Sequence, residues 1–246
     1  MTYCISDIHG CYAEFMELLE NINFSDDDTL YVLGDVTDRG EHTLECYEYI
    51  YSRKNIVCIM GNHEDMMIKY FPGPGRKSNP HWLTQGGDKP LKQIKKAKRN
   101  PKTKARWDEI FNWIKSWPLY AEVEVAEKKF LLVHAGINVH KEDWSDLESL
   151  LALQGPRDLF WIRHNFFFRP ALETHHCVFG HSPANHIREN NDCSVWVDPV
   201  YGDKTCIDCA CVYGGALAAL RLDDGEVFYV RSHKPKPLVI GDDSKV

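Results

Sequence analysis

One arrangement constrains this chain more than any other: short apolar runs stop, one after another, at a polar side chain able to hold a metal ion. Cys4-Ile5-Ser6 leads to Asp7 and His9, Thr29-to-Gly34 to Asp35, Asn55-to-Gly61 to Asn62, Lys129-to-Val133 to His134, and Cys177-to-Gly180 to His181. In an open α/β sheet, ligands bind at the carboxyl ends of the strands. Five such ends therefore predict one shared crevice. Asp7 and His9, two apart in a segment read as extended, are expected to project to the same side. The donors are two carboxylates, three imidazoles and one amide oxygen, a mixture that suits Mn, Fe, Zn or Co. Six of them suit two ions sharing a carboxylate better than one four-coordinate ion.

Helical patterns separate these runs. Phe15, Leu18, Leu19 and Ile22 recur at i, i+3, i+4 and i+7, predicting a helix from about Tyr12 to Ile22. The strand TLYVLG, a helix near Thr43 to Ser52, the strand NIVCIMG and a helix from about Glu64 give βαβαβ order, which favours a parallel layer. A second amphipathic helix is expected from Thr103 to Trp117, stopped by Pro118. Beyond it, YAEVEVA, KFLLVH, CVFGH, SVWVD, CIDCACVYGG, ALAALRL and EVFYVRS read as short strands between turns. An α/β first half packed on a mainly β second half predicts two sheets face to face with helices outside. One domain is expected over 1–233, with 88–118 as a basic, helical insertion over the site and 234–246 as a loose tail.

Hydrophobic residues at 43% and charged residues at 26% exclude a disordered, collagenous or coiled-coil chain. No run approaches the length of a membrane span and the start has no export-signal pattern, so a cytoplasmic protein without membrane contact is expected. A net charge of −7 argues against general affinity for nucleic acid. Yet Asp88 to Arg106 holds nine Lys or Arg against one acid, read first as a solvated face and second as a rim attracting an anionic substrate. The nine cysteines are scattered and read mostly as buried thiols. Cys206, Cys209 and Cys211 read as core packing on a strand rather than a zinc site.

Five motifs occur in order at the strand ends: SDIHG from Ser6, GDVTDRG from Gly34, GNHE from Gly61, HAG at His134 and FGHSP from Phe179. In this combination the chain resembles the phosphoprotein phosphatase branch of the calcineurin-like metallophosphoesterases, of the small bacterial and phage, lambda phosphatase-like type. Through HWLTQGG, WIR and IDCACVYGGAL the likeness runs to about Leu220. It implies the calcineurin-like α/β fold, two facing sheets flanked by helices, and two divalent ions, Mn first, with Fe, Zn, Co or Ni as other candidates. It implies that Asp7, His9 and Asp35 hold one ion and Asp35, Asn62, His134 and His181 the other. Asp38, Arg39, His63 and Arg163 are implied to be catalytic or phosphate-binding. In these roles Arg39 and Arg163 offer planar forks to phosphate oxygens, while His63, oriented by Asp38 and pointing away from the metals, protonates the leaving oxygen. The chain departs from its relatives at Cys209, where a small Thr or Gly pair is common, a change that touches only packing behind the site.

The activity implied is that of a metal-dependent phosphomonoesterase, a serine/threonine protein phosphatase in which a hydroxide bridging two ions attacks phosphorus in line. Its partners would be a phosphorylated protein or peptide, with inorganic phosphate as product. Hydrolysis of dinucleoside polyphosphates is the alternative, since related enzymes of similar length share the metal motifs. A non-catalytic binding module and a nucleic-acid phosphatase stand behind both.

Overall fold

The computed structural model describes residues 1–140 and 145–234. The expected tail therefore lies outside the described residues, apart from Lys234. In chain order the strands are β1 (Thr2–Ile5), β2 (Thr29–Val32), β3 (Ile56–Cys58), β4 (Tyr120–Val125), β5 (Lys128–Val133), β6 (His176–Phe179), β7 (Trp196–Val197), β8 (Lys204–Cys206), β9 (Ala216–Arg221) and β10 (Val227–Arg231). They form two five-stranded sheets, ordered β10-β9-β1-β2-β3 and β4-β5-β6-β8-β7. Within the first, β1, β2 and β3 run parallel; within the second, β5, β6 and β8 do. Antiparallel β9 and β10 extend the first set beyond β1, leaving β3 at the edge, while antiparallel β4 and β7 lie on either side of the second.

Strand alternation divides the core into layers. Cys4 and Leu33 share an inter-sheet cluster with Phe130, Leu132 and Val178 of the other sheet. Ile5, Leu30 and Val32, one residue out of phase, belong instead to the cluster containing Phe15, Leu18 and Tyr47 of the covering helices. Leu132 is fully buried, so Leu132→Ala is expected to cost about 2–5 kcal/mol.

The helices of the first half are α1 (Tyr12–Asn21), α2 (Thr43–Tyr51), α3 (Asn62–Tyr70), α4 (Asp88–Ala97) and α5 (Pro101–Ile114). The expected βαβαβ order is present. Helix α5 begins two residues before its expected start because the Asn100 side chain accepts a hydrogen bond from the Lys102 N–H and Pro101 fills the first turn. Four short helices, α6 (Leu147–Leu153), α7 (Pro156–Trp161), α8 (His164–Phe167) and α9 (Ala184–Arg188), interrupt the second half. They span only four to seven residues each, too short to show a 3.6-residue period.

The run CIDCACVYGG is not one strand. β8 stops at Cys206, Ala210 turns left-handed with φ 59°, and Cys211–Tyr213 form a 3₁₀ turn. Cys209 and Cys211 are both buried, as expected, but in a loop and not on a strand face. No helix among the described residues is long and apolar enough to cross a membrane.

Candidate active site

All six parallel strands end on the same place. Asp7 and His9 follow β1, Asp35 follows β2, Asn62 opens α3 after β3, His134 follows β5, His181 follows β6, and Asp208 follows β8. Each of these side chains is buried. The structure thus brings together the six donors expected from sequence and adds Asp208. The same strand-end rule would have found Asp208 had the CIDCACVYGG run been divided after Cys206.

The backbone here is held in an uncommon conformation. Asp7, His9, Asp35, Asp38, Arg39 and His181 all have positive φ, between 46° and 78°. Such residues persist only where their surroundings over-determine them. The expectation that Asp7 and His9 leave an extended segment on one side is corrected, because β1 ends at Ile5 and both residues turn left-handed. Backbone bonds from His9 N to Asp35 O (2.9 Å) and from Gly10 N to Val36 O (2.9 Å) lash the two loops together. At Gly34, φ is +81° and a Cβ would lie 2.6 Å from Gly61 Cα and 2.9 Å from His134 Nδ1. Only glycine fits between these ligand loops.

Asp35 is central. Its Oδ2 lies 3.7 Å from His9 Nε2, 3.8 Å from His63 Nε2 and 3.5 Å from His134 Nε2. Two donor groups share it: His9, Asp35 and His63, and Asp35, His134 and His181, with the donor atoms of each group within 4.8 Å of one another. Asn62 Oδ1 stands 2.7 Å from His134 Nε2 and 3.1 Å from His181 Nδ1. His181 Nε2 is buried with no hydrogen-bond partner. An orphaned imidazole nitrogen beside carboxylate, amide and imidazole donors is satisfied by a borderline divalent cation. The residues present fit two ions sharing Asp35.

Burial lowers the imidazoles of His9, His63 and His181 well below their ordinary range and takes His134 to about 4. The metal-binding imidazoles His9, His134 and His181 stay neutral near pH 7, the form that coordinates metal. Burial pushes Asp7 and Asp35 up, with Asp208 adding to the effect at Asp7 and Asp7 at Asp35. Such a cluster of buried carboxylates is relieved by cations.

His63 is positioned differently from its expected direction away from the metals. Its Nδ1 lies 2.5 Å from Asp38 Oδ2 as anticipated, but its Nε2 faces Asp35 and its ring meets His9 edge to face at 4.8 Å. Asp7 contributes less directly, with Oδ2 accepting the His181 N–H at 2.9 Å and Oδ1 standing 4.0 Å from His9 Nε2. The Arg39 guanidinium touches His9 Nε2 and lies 5.4 Å over the Tyr213 ring. Arg163, at the start of α8, reaches Ser182 Oγ at 3.0 Å beside His181.

A family model for the calcineurin-like phosphoesterases matches residues 2–235. The chain belongs to that family. Over 159 residues it is 35% identical to the symmetrical bis(5'-nucleosyl)-tetraphosphatase of Salmonella paratyphi C, a match covering 61% of this chain and 50% of that protein. The chain spans about half the length of the curated relatives it matches. Among solved structures it is similar to a protein assigned as a diadenosine tetraphosphatase (TM-score 0.59, 19% identity, covering 94% of this chain and 93% of that one). It is also similar to the cold-active protein-tyrosine phosphatase of a psychrophilic Shewanella (TM-score 0.55, 20% identity, 93% and 79%). At these identities the structural likeness is one of fold.

Around the metal-binding groups this calcineurin-like phosphoesterase has further supports. Glu64 is the supporting acid at the start of α3 that its place after His63 leads one to expect, while its partners and the role of Trp82 are not legible from strand ends. The Glu64 carboxylate accepts the backbone N–H groups of Asp35, Val36, Thr37 and Gly61 and the Tyr47 hydroxyl. That one buried side chain shapes the loop carrying Asp35. Trp82, in the HWLTQGG stretch, donates its indole N–H to Asp38 at 2.8 Å. The next turn, Leu83–Gly87, accepts the Arg39 N–H at Gly86 O (3.1 Å). The basic stretch continues from this turn as α4 and α5. Much of its charge is paired there: Lys89 with Glu41, Lys92 with Asp88, Lys104 with Asp108 and Arg106 with Glu48.

Proposed function

We propose that this phosphoesterase hydrolyses dinucleoside tetraphosphates. The observation that carries the reading is the identity to symmetrical bis(5'-nucleosyl)-tetraphosphatases, which extends over 159 residues rather than over the metal motifs alone. Metal motifs grip a phosphate and say little of what leaves it, so the likeness to phosphoprotein phosphatases weighs less. In this reading Asp7, His9 and Asp35 serve one divalent ion and Asp35, Asn62, His134 and His181 the other, with Mn the first candidate. Bound there, two such ions supply Lewis acidity toward a phosphoryl oxygen and a water nucleophile.

The chain's own residues do the rest. Arg39 and Arg163 each present a planar fork to phosphate oxygens, where charge grows in the transition state. Asp38 holds His63 through Nδ1 and leaves Nε2 to hand a proton to the departing oxygen. Tyr213, 46% exposed beneath the Arg39 guanidinium, gives the site an aromatic edge against which a base can rest.

The test is kcat/KM on Mn²⁺-reconstituted protein for diadenosine tetraphosphate and for a phosphothreonine peptide at equal enzyme. The dinucleotide is expected to be cleaved faster. A faster release of phosphate from the peptide overturns the reading in favour of a serine/threonine phosphatase.

A further inference from the structure

All nine cysteines are free thiols, and two of them, 200 positions apart, meet behind the active-site loop. Cys11 directly follows the His9-Gly10 turn at the start of α1, and Glu14 stands in the first turn of that helix. Cys211 begins the 3₁₀ turn that ends in Tyr213. The Cys11 and Cys211 sulfurs and a Glu14 carboxylate oxygen all lie within 4.8 Å of one another. We infer that Cys11, Glu14 and Cys211 form a second, thiol-containing site for a soft or borderline divalent cation of the zinc class, separate from the nitrogen and oxygen donors around Asp35.

The donor chemistry supports this. Two sulfurs and one carboxylate oxygen select zinc-class ions over Mn or Mg, which the oxygen- and nitrogen-rich centre takes. Tetrahedral zinc, with Zn–S of about 2.3 Å and Zn–O of about 2.0–2.2 Å, holds such donors about 3.5–3.8 Å apart, so an inward shift of the order of 1 Å closes the site. Three protein ligands leave a fourth position for water. Glu14 is already oriented: its Oε1 accepts the His233 N–H at 3.0 Å. Glu14 and Cys211 are buried while Cys11 is partly exposed, which gives an ion its way in.

The spacing Cys206-x2-Cys209-x-Cys211 is not the source of the site. Cys206 Sγ instead contacts Ser182 O at 3.2 Å. A bound ion would tie the turn after His9 to the turn before Tyr213, two walls of the phosphate site.

The experiment titrates Cd²⁺ into the reduced full chain after the oxygen- and nitrogen-rich centre has been filled with Mn²⁺, and follows the ultraviolet cadmium–thiolate charge-transfer band. Cadmium exchanging into the Asp35 centre gives no such band, and activity is not the readout. The expected result is a band that saturates at one equivalent, loses at least half its amplitude in Cys11→Ser, and shows binding at least tenfold weaker in Glu14→Gln. Cys193→Ser, at the other partly exposed cysteine, should match wild type. Cys11→Ser at a partly exposed position keeps the fold testable if Cys211→Ser does not. Absence of a saturating band, or a band unchanged in Cys11→Ser, overturns the proposal.

Discussion

His63 and Asp38 meet at 2.5 Å between Nδ1 and Oδ2, and the same carboxylate takes the Trp82 indole N–H at 2.8 Å. The pair is buried, and Trp82 together with the Thr37 hydroxyl, which donates to Asp38 Oδ1 at 3.0 Å, fixes the carboxylate, so the imidazole has one orientation. If His63 hands on a proton, His63→Asn should lower kcat by about 10²–10⁴-fold while metal content, measured by elemental analysis, is unchanged. Loss of metal with activity would make His63 a ligand, as its place beside His9 and Asp35 also allows. Asp38→Asn should lower kcat with little change in KM, because it frees the ring without removing it.

Arg39 offers a more selective test. Its guanidinium lies between His9 and the Tyr213 ring, at the edge of the proposed phosphate site. Arg39→Ala should raise the inhibition constant of inorganic phosphate about tenfold or more, since a charge-assisted fork is lost. An unchanged constant would remove Arg39 from phosphate binding.

The parts of this site that could be read from sequence are those in which one strand end carries its own signal. Asp7, Asp35, Asn62, His134 and His181 each follow an apolar run within four residues, and the runs themselves are periodic enough to recognise. Asp208 obeys the same rule but was hidden because Ile207, Cys209, Ala210 and Cys211 prolong the apolar texture past the true end of β8. Trp82 and Glu64 act on residues 44 and up to 29 positions away, and local periodicity does not encode such pairings. The turn at Asp7 and His9 escaped for a related reason. Positive φ at a non-glycine residue is imposed by the neighbouring loop.

Glu64 tests whether the Asp35 loop depends on a single carboxylate. Four backbone N–H groups and the Tyr47 hydroxyl converge on it, all buried. Glu64→Ala leaves several donors without partners, at about 1–3 kcal/mol for each group that water cannot reach. A total loss of about 3–5 kcal/mol, read from urea unfolding of metal-free protein, is expected. A loss below about 1 kcal/mol would show that water or a shift of the loop replaces the carboxylate. Tyr47→Phe, which removes only one donor, should cost about 1 kcal/mol.

Lys204 is fully buried at the start of β8, bonded to Asp198 and, at 2.6 Å, to Asp203. Burial opposes the charge on Asp198, but the Lys204 ammonium and the N–H groups of Val200 and Tyr201 outweigh it and hold the carboxyl below its usual value. The unfolded carboxyl titrates near about 3.9. Below that pH the unfolded chain takes up a proton that the folded chain resists, so stability from this group is complete above about pH 4 and is lost as pH falls through the folded value. Asp198→Asn should therefore be less stable than wild type by about 3 kcal/mol at pH 7, because a buried ammonium loses one of its two counterions. The gap should shrink as unfolding is measured from pH 5 down to pH 2.5. A gap that stays constant over that range would assign the loss to packing and not to the charge pair.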